Sequence, residues 1–307
     1  MKNLYFYTLL GLFAFENTFS QVNVQDSLIL VNLYYASDGP NWQNQRNYLQ
    51  GPVKTWNGVT LSSDSTRVIS LQLGGVGVTG YIHPSIGDLS ELVALRFTSS
   101  NLSGSTIPHT IGRLNKLRIL HLFNNQLEGQ LPDSICNLTA LEQISLFQNN
   151  LSGAIPACLD TFPNISHLTI QYNQFEGLPN LSNTPYWFQL NIQNNRFTFE
   201  DIEPNWVHFF DYPGTYPNYG PQFDSVNAVI DTTVHDNSVF EMHCNIGGQY
   251  NVYQWTKNGV DISLATDSIL VLNNVALNDS GVYACRITNT NGNNTYLLPQ
   301  AHYTEGG

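Results

Sequence analysis

The sequence predicts two ordered bodies in tandem: a solenoid of stacked coils with short parallel strands and an irregular convex side, then an all-β sandwich. The first rests on a sentence the chain repeats. Leu117-x-x-Leu120-x-Leu122-x-x-Asn125-x-Leu127-x-Gly129-x-Leu131-Pro132 returns as Leu141-x-x-Ile144-x-Leu146-x-x-Asn149-x-Leu151-x-Gly153-x-Ile155-Pro156. A fixed period near 24 residues marks stacked units. The second rests on Cys244, Trp255 and Cys285, with a Tyr two residues before the last Cys and short alternating strands around them.

The register of the repeat runs through the positions Val76, Ser100, Asn125, Asn149, Asn173 and Asn195, spaced 24 or 25 residues apart until a last step of 22. The apolar positions of each coil must point into one continuous core, because a single coil cannot bury its own hydrophobic side. The recurring Asn carries an amide that can satisfy backbone groups where the chain turns out of each strand. Val76 and Ser100 depart from it, so the first two coils are expected to lack the full ladder of Asn hydrogen bonds.

Asn149 to Pro156, read as Asn-x-Leu-x-Gly-x-Ile-Pro, resembles the plant-type leucine-rich repeat, a subclass also found in bacterial secreted and cell-surface proteins. The stretch from Leu33 to Trp42, followed by Trp56-Asn57-Gly58-Val59-Thr60, resembles the N-terminal cap of those bacterial proteins. A cap is needed because an open solenoid end exposes core. Plant caps usually carry a cysteine pair that is absent here, which leaves packing around Trp42 and Trp56 as the expected anchor. The expected organisation is a signal peptide over 1–20, the cap over 21–65, about six repeat coils over 66–202, a C-terminal cap and linker over 203–222, and an immunoglobulin-like domain over 223–304.

The N-terminus sets the compartment. Lys2 is followed by an apolar run from Leu4 to Phe15 too short to span a bilayer, then by small residues around Thr18 and Ser20 where a signal peptidase reads. No later run is apolar for 18 residues, so no membrane insertion is expected after signal cleavage. At 307 residues and 42% hydrophobic, the chain can bury substantial cores. Its net charge of −12 excludes nucleic acid and anionic membranes as partners, since both are repelled. The expected location is secreted or cell surface.

In the second domain, Asp279-Ser280-Gly281-Val282-Tyr283-Ala284-Cys285 reproduces the immunoglobulin-like pattern, with Trp255 beside a Cys244–Cys285 bond and Tyr283 at a tyrosine corner. That bond would close a loop of about 40 residues and stabilise the domain by roughly 3 to 4 kcal/mol. Strands are expected at Tyr250 to Lys257, Ser268 to Leu272 and Gly281 to Thr288, with Asn258-Gly259 as a hairpin turn. Cys136 and Cys158 lie on neighbouring coils on opposite sides of the inward Ile135 and Leu159. An inter-coil disulfide and two separate half-buried thiols both stay open for them. Between the domains, Ile202 to Gln222 is rich in Pro, Tyr and Trp, and reads as capping followed by a stiff connector.

Side chains alternate along a strand, so the residues between the buried leucines face the concave side. One column reads Gln72, Arg96, His121, Ser145, Thr169, Asn191; the next reads Gly74, Thr98, Phe123, Phe147, Gln171, Gln193; beside it run Gly75, Ser99, Asn124, Gln148, Tyr172 and Asn194. Phe123, Phe147 and Tyr172 fall on three adjacent coils where the fold does not require apolar residues. Aromatics and Arg dominate binding hot spots, which makes Arg96, His121, Phe123, Phe147 and Tyr172 the candidate ligand contacts.

Catalysis finds no support: there is no His pair at metal-ligand spacing, no Cys-x-x-Cys, no nucleophile elbow and no phosphate loop. No cofactor or metal is expected. Asn-x-Ser/Thr triplets at Asn101, Asn137, Asn150 and Asn164 match glycan acceptors, the first and third arising from the repeat itself. Asp-Ser-apolar triplets at Asp26, Asp133, Asp224 and Asp267 resemble O-glycan acceptors of some exported bacterial proteins. The sequence therefore predicts a noncatalytic recognition or adhesion protein that binds an extracellular protein or polysaccharide on the concave face. The alternative is an inhibitor or accessory subunit of an extracellular carbohydrate-active enzyme, and a third reading is purely architectural.

Overall fold

A computed structural model of the chain describes residues 22–42, 47–75, 77–185, 188–206, 230–244, 246–290 and 303–306. The expected signal peptide, Val76 and most of the 203–222 connector lie outside them. The fold is a leucine-rich repeat solenoid and an immunoglobulin-like sandwich. The chain divides into two compact units, one reaching Asn173 and including 183–190, the other holding 174–182 and the residues from Asn191 onward.

The first unit opens with helix α1 (Val24–Ala36), started by Asn23, whose side chain accepts from the backbone N–H of Gln25 and Asp26. Asp26 is buried, yet its charge is compensated: Arg67 donates to both its oxygens at 3.0 and 3.1 Å and the Val68 N–H adds a third bond. A buried ion pair persists only with such full pairing. Tyr34, Trp42, Tyr48 and Trp56 pack ring on ring, with centroids 4.9–5.8 Å apart, so the cap is closed by aromatic packing without a cysteine.

Strand β1 (Val59–Leu61) pairs antiparallel with β2 (Val68–Gln72) and hands over to a parallel ladder. That ladder continues through β3 (Ala94–Arg96), β4 (Ile119–His121), β6 (Gln143–Ser145), β8 (His167–Thr169) and β10 (Gln189–Asn191). A second short ladder joins β5 (Glu128–Gln130) to β7 (Asn150–Gly153); β9 (Gln174–Phe175) belongs to the second unit. After each coil's Pro the convex side turns through a short 3-10 helix, as at His109–Arg113, Asp133–Asn137 and Ala157–Thr161, because proline's fixed φ suits such a start. The leucines of each coil, such as Leu120, Leu122, Leu127, Leu146 and Leu151, are fully buried.

The Asn ladder behaves as its chemistry requires. Asn149 donates through Nδ2 to Leu122 O and Leu146 O at 3.0 and 2.9 Å and accepts from the Leu127 N–H at 3.0 Å. Asn125 and Asn173 repeat the arrangement. Ser100 reaches only Leu73 O and Thr98 O, both at 3.3 Å, so the ladder is thinner there. In the second unit Asn195 serves the Phe175 N–H, and Asn205, outside the repeat register, serves the Leu181 N–H and Pro179 O.

The sandwich carries β11 (Ile230–Asp231), β12 (Val239–His243), β13 (Asn251–Lys257), β14 (Val260–Asp261), β15 (Ile269–Asn273), β16 (Val282–Asn289) and β17 (Tyr303–Gly306). One sheet runs β11-β17-β16-β13-β14 and the other pairs β12 with β15. Asn258 and Gly259 both take positive φ at the β13–β14 hairpin, the type I′ requirement. Trp255 is fully buried, and the Tyr283 hydroxyl donates to Asp279 O at 2.6 Å to form the tyrosine corner.

Of the two cysteine pairs, the one the sequence leaves open is joined and the one it expects to be joined is not. Cys136 and Cys158 are bonded, with Cα atoms 5.6 Å apart. Each sits in a 3-10 turn, where two residues advance only about 4 Å, so their offset across neighbouring coils is bridged. The expected Cys244–Cys285 bond is not formed: both are buried thiols sharing a hydrogen bond. Packed beside Trp255 and Ile287, they act as small apolar side chains that fill the core without a covalent link. That hydrogen bond, with burial, pushes the Cys285 thiol upward.

Asn149→Ala is expected to lower unfolding free energy by about 2 to 4 kcal/mol, since it strands buried carbonyls and one N–H. Urea denaturation checks this, and Gln126→Ala, at an exposed neighbouring site, is expected to change little.

Candidate functional site

The concave face is set by the ladder's register. Arg96 lies opposite His121 across β3 and β4, His121 opposite Ser145, and Ser145 opposite Thr169. Each step is one strand spacing, about 4.8 Å. The Thr169 hydroxyl donates to Ser145 Oγ at 2.8 Å. All these side chains belong to the first unit.

Beyond each strand the chain enters the left-handed region at one position per coil: Gly75, Ser99, Asn124, Gln148, Tyr172 and Asn194, with φ between 51° and 67°. The turn swings the next residue's amide into the core, so it recurs wherever the Asn ladder does. Gly and Asn suit this conformation, whereas a bulky side chain there is strained. Tyr172 nevertheless holds it at φ 59° with 48% of its surface exposed. The fold does not need a ring there.

Phe123 and Phe147 are partly exposed and stack at 4.4 Å between centroids with planes 8° apart. His121 lies 6.1 Å from Phe123 at a tilt of 50°. Tyr172, on the next coil, does not join this pair. Tyr172 occupies the left-handed column, and the residue that follows Phe147 in its own column is Gln171. Tyr172 makes no ring contact among the described residues.

Arg96 is the one charged side chain in these concave columns. Burial, followed by the Arg96 guanidinium, pushes the His121 imidazole below its usual range, with a hydrogen bond to Gln143 opposing and His167 adding repulsion. His121 is therefore neutral at pH 7. Sequence reasoning missed two participants, Gln143 and Gln171. Both stand in concave columns, but an amide's partner or lack of one is not written in the period. The Gln171 Oε1 atom is buried and has no hydrogen-bond partner. Among the described residues no group of three His, Cys, Asp or Glu side chains could hold a metal ion. No helix among them is long and apolar enough to cross a membrane.

Comparison with known proteins places the two folds. The Leucine Rich Repeat family model matches residues 116–138 and the Immunoglobulin domain model residues 224–298. The chain is similar to the LRR receptor-like serine/threonine-protein kinase EFR of Arabidopsis thaliana, 51% identical over 67 residues, which is 22% of this chain and 6% of that protein. It is also similar to Phytosulfokine receptor 1 of Arabidopsis thaliana, 39% identical over 75 residues, 24% of this chain and 7% of that protein. The chain thus spans under a tenth of these relatives' length, and the kinase relatives match only its repeats. Among solved structures, a plant ice-binding protein aligns with a TM-score of 0.53 and 30% identity, covering 58% of each chain. These repeats are of the plant type.

If Tyr172 is held against its backbone preference for a function, Tyr172→Asn leaves stability unchanged or raises it by about 0.5 to 1 kcal/mol. Denaturant midpoints measure this, and a clear loss of stability would show the ring to be structural.

Proposed function

We propose that this chain is a noncatalytic recognition protein, secreted or displayed at a cell surface, that binds an extracellular protein segment or glycan on the concave face of its repeats. The observation that carries the reading is Tyr172, an exposed ring at a position whose backbone disfavours it, one coil on from the stacked and partly exposed Phe123–Phe147 pair but out of ring contact with it. Strain without a packing reward is the mark of a residue kept for contact. Arg96, His121, Phe123, Phe147 and Tyr172 are the proposed contacts, with Gln171 added.

The relatives support an extracellular role without naming the ligand. One bears the name of a phytosulfokine receptor and a structural relative that of an ice-binding protein, so one kind of repeat serves unlike ligands. Specificity must come from the concave side chains.

The test is binding of the mature chain to a phage-displayed peptide library and to a panel of soluble polysaccharides. The Phe123→Ala/Phe147→Ala double variant is expected to weaken the selected ligands at least tenfold, about 1.4 kcal/mol. Unchanged binding would move recognition off this face.

A further inference from the structure

Among the described arginines, Arg67, Arg113, Arg118 and Arg286 each pair with a carboxylate and Arg196 bonds to Gln174. Arg96 is the one whose side chain has neither an ion pair nor a hydrogen bond. It stands half-buried on β3, in register with His121 and two strands from Phe147. The chain carries 23 acidic and 11 basic residues, yet the concave positions of β3, β4, β6 and β8, and the columns beyond them, hold no Asp or Glu. An unpaired guanidinium kept clear of carboxylates in an acidic protein leaves an anion's place open. The net charge of −12 does not cancel this, because at physiological salt the Debye length is about 8 Å and nearby groups set the field.

The phenylalanines point the same way. Their near-parallel stacking at 4.4 Å matches the strand spacing, so each ring covers one face of the other, and both remain partly exposed as an apolar surface. A sugar ring needs an open aromatic face to stack on, and this pair withholds the face between its rings.

We propose that the concave face is built for an acidic polypeptide segment, with a carboxylate on Arg96 and His121 and an apolar side chain against the partly exposed Phe123–Phe147 pair. This rests on the concave-face reading and names its ligand class. His121 faces Arg96 from β3, Gln143 from β6 and His167 from β8, with no carboxylate among its electrostatic neighbours. A bound carboxylate supplies what those neighbours do not, so it draws a proton onto His121 and binding strengthens as pH falls.

The probes are acetyl-Gly-Glu-Phe-Glu-Gly-amide and its Gln-for-Glu counterpart, titrated into the mature chain in 0.15 M salt. The Glu peptide is expected to bind at least tenfold more tightly than the Gln peptide. Arg96→Gln is expected to erase that ratio. Lowering the pH from 7.5 to 5.5 is expected to raise the ratio in the parent protein and less so in His121→Asn, with circular dichroism confirming that each variant folds. Equal binding of both peptides, lost in Phe123→Ala/Phe147→Ala, overturns the acidic ligand and leaves concave recognition standing. Binding indifferent to Arg96→Gln and to the Phe variant overturns both. No binding of the Glu peptide at millimolar concentration, or tighter Arg96-dependent binding of an oligogalacturonate, overturns the polypeptide class.

Discussion

The side-chain amide of one Asn per coil is the interaction on which the solenoid depends. Every coil must leave its strand while still inside the protein, and the turn strands backbone groups that have no ladder partner. At Asn149 one amide answers carbonyls on its own coil and on the preceding coil, together with an N–H of the preceding coil. An unmade buried hydrogen bond costs more than a made one contributes, so the position tolerates few substitutes. Where Ser100 stands instead, a hydroxyl covers carbonyls but offers no comparable bridge.

That constraint propagates outward. To aim the amide inward the preceding residue turns left-handed, so each coil presents one strained position on its concave rim. Ser99, Asn124, Gln148 and Asn194 occupy it with polar side chains, while Tyr172 trades backbone ease for an exposed ring. The same register lines up the strands without slippage, and for that reason Phe123 meets Phe147 face to face and Arg96 stands beside His121. Recognition chemistry thus follows from a backbone requirement buried beneath it.

The cysteines show what stacking adds to sequence. Cys136 and Cys158 are not equivalent in the repeat, and only the shallow advance of the two 3-10 turns brings their Cα atoms to 5.6 Å. Cys244 and Cys285 hold the expected places around Trp255, and the core around them is filled by the thiols themselves. Spacing names the neighbours; the bond depends on geometry the spacing does not carry.

The sequence by itself determined the solenoid, its Asn ladder, the sandwich with Trp255 and Tyr283, and the concave columns holding Arg96, His121, Phe123, Phe147 and Tyr172. These are properties of period and alternation along one dimension, and a residue's inward or outward face follows from them directly. The tertiary structure alone decided that Tyr172 stands apart from the phenylalanine pair, that those two rings stack on each other, that the Arg96 side chain and Gln171 Oε1 lack hydrogen-bond partners, and which cysteines join. Each of these depends on distances between residues some 24 positions apart, and such distances exist only once coils stack and neighbouring side chains compete for the same hydrogen bonds.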